Sequence, residues 1–140
     1  MGMEQLGKIN YVAEASGVHI PLTNASGITF FCYEADGSQV VTLKESIDGA
    51  SEQNLVVIDK VYRSPGIGGT WTKVTQTAAA TFDNTDNASD CIAFYVGADQ
   101  LSDTFNCLEL TTDEGSGLGV RAVVDLVVQR DPANLASSVV

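Results

Sequence analysis

The sequence predicts an all-β domain, a single antiparallel β-sandwich or jelly-roll-like barrel of about seven or eight strands with flexible termini. Three observations predict it. Apolar residues recur with a period of two in run after run, clusters of Gly, Asn, Asp and Pro separate the runs, and only Ser46 to Asn54 and Asp99 to Asp103 offer even one helical turn. The composition agrees, being low in aromatic residues at 7% and rich in Thr, Ser, Gly and Val, as a domain with many strands and turns requires.

The longest run, Gly119 to Arg130, organises the rest. Val120, Ala122, Val124, Leu126 and Val128 are apolar, while Arg121, Val123, Asp125, Val127 and Gln129 mix charge with valine, so one face enters a core and the other stays partly wet. Side chains branched at Cβ suit the pleated surface, and on a helix this apolar set would wind round without forming a stripe. At about 3.3 Å per residue the run lies at the upper end of strand length, so several shorter strands are expected to pair along it.

Residues 1–7 have no period and read as an N-terminal arm; the β-domain spans 8–130 and a tail 131–140. Lys8 to Ala13 is a short strand, Glu14 to Gly17 breaks it, and Val18 to Leu22 pairs only briefly because Pro21 has no ladder donor. Asn24 to Gly27 is a turn. Ile28 to Tyr33, apolar on both faces, is an interior strand, and Asp36-Gly37 is a hairpin signal that makes Gln39 to Glu45 its partner. Ser46 to Asn54 has no apolar period and reads as an exposed loop. Leu55 to Tyr62 returns to strand, Ser64 to Gly69 is a glycine-rich connection, and Thr70 to Gln76 alternates as a half-exposed or edge strand. Ala78 to Phe82 stays open between helix and strand. After the polar loop Asp83 to Asp90, Cys91 to Val96 is a second interior strand, Asp99 to Asp103 a single turn, and Phe105 to Leu110 a strand. Asp113 to Gly119 leads into the long run, which Asp131-Pro132 stops.

At 140 residues the chain is one domain. A formal net charge of −11, with seven scattered Lys and Arg, argues against a nucleic-acid surface, because phosphate binding needs clustered cations. No apolar stretch of about 18 residues and no basic segment followed by an apolar one is written in, so the expectation is a soluble protein made in a cytoplasm, without membrane contact. Cys32, Cys91 and Cys107 are odd in number and lack C-x-x-C spacing, which favours buried reduced thiols over a disulfide framework or a zinc site.

His19 is the sole histidine, and no G-x-S-x-G, H-E-x-x-H or phosphate-loop pattern accompanies it; it reads as a turn histidine beside Pro21. Asp83, Asp86 and Asp90 could offer oxygen ligands to Ca²⁺, but they lack the spacing and terminal glutamate of a calcium loop and read as a solvated loop. The glycines of Ser64 to Gly69 are followed by no Lys-Ser and no helix, so they make no phosphate cradle. No catalytic, cofactor or metal residue is therefore assigned, and stability is expected to be indifferent to chelators. Tyr62 and Trp71, flanking that loop, could present a contact surface, and with Leu6, Ile67, Leu135, Val139 and Val140 they form the candidate interface.

Ala25 to Cys32, Gln53-Asn54-Leu55 with Tyr62, Gly69 to Gln76 with its alanine run, and Val127 to Leu135 together resemble small proteins encoded among tailed-bacteriophage head genes. The likeness covers most of the chain and consists of strand and turn pieces without a catalytic signature. It implies a non-enzymatic virion structural protein, a minor capsid or decoration protein that binds and reinforces the outside of a shell. It also implies the major capsid protein as partner, a homo-oligomer, no cofactor and no direct nucleic-acid contact. The alternatives are a tail-tube or head-tail connector protein, and a carbohydrate-binding or adhesin module using Tyr62 and Trp71.

Overall fold

The computed structural model describes residues 9–12, 17–33, 40–66, 68–85, 91–113 and 119–127. Among them eleven strands form two antiparallel sheets: β1 Ile9–Val12, β2 Ile20–Pro21, β3 Ala25–Tyr33, β4 Val40–Ile47, β5 Ala50–Asn54, β6 Ile58–Ser64, β7 Thr72–Ala79, β8 Thr81–Asp83, β9 Cys91–Gly97, β10 Cys107–Thr112 and β11 Gly119–Leu126. One sheet has the order β1-β11-β3-β9-β6-β7; the other has the order β2-β10-β4-β5, with β8 also paired to β4. A 3-10 turn at Ala98–Gln100 overlaps the start of Asp99 to Asp103, where a single turn was expected. No helix among the described residues is long and apolar enough to cross a membrane.

Alternation sets the buried face of the long strand β11. Val120, Ala122, Val124 and Leu126 of β11 are buried while Asp125 is exposed, so the apolar face turns inward as its period demands. Both interior assignments hold: β3 lies between β11 and β9, and β9 between β3 and β6. Phe30 and Phe94 are register partners on β3 and β9, with ring centroids 5.5 Å apart and planes tilted by 34°. A single hydrophobic cluster joins these residues to Ile20, Val41, Leu43, Leu108 and Leu110 of the other sheet, so the two sheets share one core. β7, exposed along most of its length, is the edge strand that its alternation indicated.

Three expectations need correction, and one left open is resolved. The strands exceed the seven or eight expected, because short pieces such as β2, β5 and β8 carry too few apolar residues to be counted from sequence. β3 and β4 are not hairpin partners: they belong to different sheets, and β4 pairs with β10, β5 and β8. The Asp36-Gly37 signal itself lies outside the described residues. Ser46 to Asn54 is not a loop but the end of β4, a tight turn and β5, with Ile47 paired to Ala50. Asp48 and Gly49 both have positive φ, 51° and 84°, as a two-residue hairpin turn matched to strand twist requires. Ala78 to Phe82 resolves as strand, shared by β7 and β8.

β1 runs antiparallel beside β11, with Ile9 opposite Asp125 and Val12 opposite Ala122. The places where the described chain begins and ends are thus neighbours.

Candidate functional site

The outer face of the six-stranded sheet is set by register. Arg121 of β11, Phe31 of β3, Ala93 of β9, Tyr62 of β6 and Lys73 of β7 are successive partners across five strands, and Thr29 faces Tyr95 in the next row. Four aromatic residues of this face are solvent-exposed: Phe31 at 38%, Tyr33 at 38%, Tyr62 at 43% and Tyr95 at 55%. Two of them lie down over glycines. The Tyr33 ring fills the place of a Cβ at Gly119, and the hydroxyl end of Tyr95 does the same over Gly27. The Arg121 guanidinium stands 5.5 Å from the centroid of Tyr33, within cation–π range. The face thus offers exposed aromatic area with Arg121 and Lys73 at the two ends of one row, and aromatic residues with Arg are enriched at protein contacts.

Of the interface residues read from sequence, Tyr62 belongs to this face, and Trp71, 49% exposed, immediately precedes β7 at its edge. Leu6, Ile67, Leu135, Val139 and Val140 lie outside the described residues, as do Asp86, Asp90, the arm 1–7 and the tail 131–140. Asp83 sits on β8. Phe31, Tyr33 and Tyr95 were missed as surface residues because their strands are apolar on both faces, which reads as burial on both.

A second cluster lies on the outer face of the smaller sheet. His19 is not a turn residue: it is 7% exposed and flanks β2 beside β10. Its Nδ1 is 3.0 Å from Ser46 Oγ. Its Nε2 is 3.1 Å from Glu52 Oε1 and 3.7 Å from Glu109 Oε2. Lys44 Nζ stands 3.5 Å from the other oxygen of Glu52. Ser46 is small enough for His19 and Glu52 to meet across β4. Glu52 is carried there by the Asp48-Gly49 turn, which Asn106 holds in place: Asp48 N donates to Asn106 Oδ1 at 2.8 Å, and Asn106 Nδ2 donates to Asp48 Oδ1 at 2.7 Å.

Burial is the largest influence on Glu109 and raises its carboxyl above the ordinary carboxylate value; neighbouring Glu52 adds to this, while His19 and Lys44 oppose it. The order Ser46, His19, Glu52 imitates a hydrolytic triad, yet Ser46 has no exposed surface, so no acyl group can reach Oγ where it stands. The three residues His19, Glu52 and Glu109 come from separate strands with no local spacing, which is why sequence patterns do not reveal them.

On the core side of the same strand, Glu45 is wholly buried, accepting hydrogen bonds from Gln53 Nε2 at 2.6 Å and from Ser102 N at 2.8 Å. Burial alone would raise its pKa, but the Ser102 and Gln53 hydrogen bonds together outweigh that and lower it.

No known protein family matches the chain, and no curated protein matches its sequence.

Proposed function

We propose that the chain is a non-enzymatic structural protein of a virion, a β-sandwich that binds the outside of a tailed-phage shell as a minor capsid or decoration protein and associates with copies of itself. The observation that carries this reading is the exposed aromatic face of Phe31, Tyr33, Tyr62 and Tyr95. A contiguous apolar patch on a sheet marks a contact with another macromolecule, and aromatic residues beside Arg are the anchors of such contacts. A net charge of −11 suits the protein exterior of a particle and disfavours its nucleic-acid interior. The resemblance of the strand and turn pieces to phage head proteins supplies the particular partner, the major capsid protein.

The test is sedimentation of particles lacking the protein after adding the wild type or the double variant Phe31→Ser/Tyr62→Ser. Both sites are exposed, so the fold should survive. Wild-type occupancy with loss of the variant supports the reading. Equal occupancy removes this face from it, and no binding of wild type to any capsid sinks the virion role.

A carbohydrate-binding module is the second reading, favoured by one observation: Tyr33 and Tyr95 are exposed aromatic side chains that lie over glycines, and an exposed aromatic ring is a surface on which a sugar ring stacks. Retention of the wild type on immobilised polysaccharide, lost in Tyr95→Ala, would select it.

A further inference from the structure

We propose that His19, Glu52 and Glu109 form a binding site for a divalent first-row transition ion, zinc by its chemistry, which fastens β2, β10 and β5 together across the outer face of the smaller sheet. The donor atoms of these three side chains all lie within 4.8 Å of one another. In a tetrahedral site with bonds of about 2.0–2.1 Å, neighbouring donors stand about 3.3 Å apart. The separations from His19 Nε2, 3.1 and 3.7 Å, straddle that value.

Glu109 is the independent sign that something is accommodated here. It is 6% exposed, and its Oε2, directed at His19, is fully buried with no hydrogen-bond partner. An unsatisfied buried carboxylate oxygen is unfavourable unless a cation or proton completes it. The Lys44 ammonium is held to Glu52, and His19 Nε2, at 3.7 Å, stands beyond hydrogen-bond length from this oxygen.

The surroundings prepare the imidazole as a ligand. Nδ1 lies 3.0 Å from Ser46 Oγ, and the tautomer that donates Nδ1–H to that oxygen turns the Nε2 lone pair toward the two carboxylates, the outer-shell arrangement that orients histidine ligands. One nitrogen with two carboxylates suits zinc and its neighbours better than calcium, which takes 6–8 oxygens. Glu52, with its side chain 39% exposed, marks the side from which water would fill the fourth position. The site departs from the sequence-based expectation of no metal ligand, because its members converge only through the register of β2, β10 and the β4–β5 hairpin.

The experiment uses the full chain, stripped with chelator, dialysed and titrated calorimetrically with Zn²⁺, then with Co²⁺ for its absorption spectrum and with Ca²⁺. The expected result is one saturable Zn²⁺ equivalent, a melting temperature that rises with Zn²⁺, and a cobalt spectrum without a thiolate charge-transfer band. Ser46→Ala should weaken binding about tenfold. His19→Gln and Glu109→Gln should weaken it further, and cooperative melting of each variant establishes that it is folded; Glu109→Gln, which deletes a buried charge, guards against loss of the fold in the other. No saturable Zn²⁺ binding by the wild type would overturn the proposal and leave a plain histidine–carboxylate ion pair. So would unchanged affinity in both variants, a cobalt–thiolate band that moves the ion to a cysteine, or Ca²⁺ bound as tightly as Zn²⁺.

Discussion

The ring of Tyr33 occupies the space that a Cβ on Gly119 would need. The glycine of one strand and the aromatic of its neighbour are register partners, so the pair acts as one packing unit on the sheet surface. In an open strand, Gly→Ala is neutral or helpful; here the added methyl must expel the ring and its contact with Arg121. Gly119→Ala should lower stability by about 1 kcal/mol, whereas the same change in a Tyr33→Ser background should not. Urea unfolding of the four proteins measures the coupling, and additive effects would mean that the ring is not held over the glycine.

Glu45 predicts acid sensitivity. Its folded pKa lies below the ordinary 4.5, so its contribution is present above that value and is lost as pH falls through the folded pKa. Glu45→Ala leaves the Ser102 N–H and the Gln53 amide without their acceptor, and should cost about 2–3 kcal/mol at neutral pH. Glu45→Gln should flatten the stability profile below 4.5 relative to the wild type. Unfolding curves taken across that range test both.

Glu109 has the opposite sign. Its folded pKa is raised, so protonation stabilises the fold, the contribution is complete below 4.5 and is lost as pH rises through the folded value. In chelator at neutral pH, Glu109→Gln should therefore raise the melting temperature by a few degrees. A lower melting temperature would show that the charged carboxylate, not its protonated form, is what the folded chain accommodates.

The thiols should label in sequence. Cys32 and Cys107 are buried and Cys91 only partly so, and the three form no disulfide. Burial is the largest influence on Cys107 and pushes its pKa up, leaving little thiolate. Cys91 should react first with a thiol reagent in the native protein, and all three should react in denaturant. Early modification of Cys107, located by peptide mapping, would contradict its burial.

Strand identity was legible where a strand buries one or both faces: Ile28 to Tyr33, Cys91 to Val96 and the run from Gly119 declare themselves because burial selects their apolar residues. β5, Ala50-Ser-Glu-Gln-Asn54, did not, since every residue of it is exposed and no burial imposes a period. A turn signal reports a local reversal and not which sheet receives the next strand, which is why β4 was paired with the wrong neighbour. The histidine–carboxylate cluster was illegible for a related reason. His19, Ser46, Glu52 and Glu109 look like unrelated polar residues until antiparallel register places them over one another.

The pairing of Ile9 with Asp125 has a mechanical consequence. A load applied through both ends of the described chain acts at one corner and across the ladder, not along it, so it peels β1 from β11 one hydrogen-bonded pair at a time instead of shearing all the pairs at once. The domain should therefore open at low force when stretched between its ends.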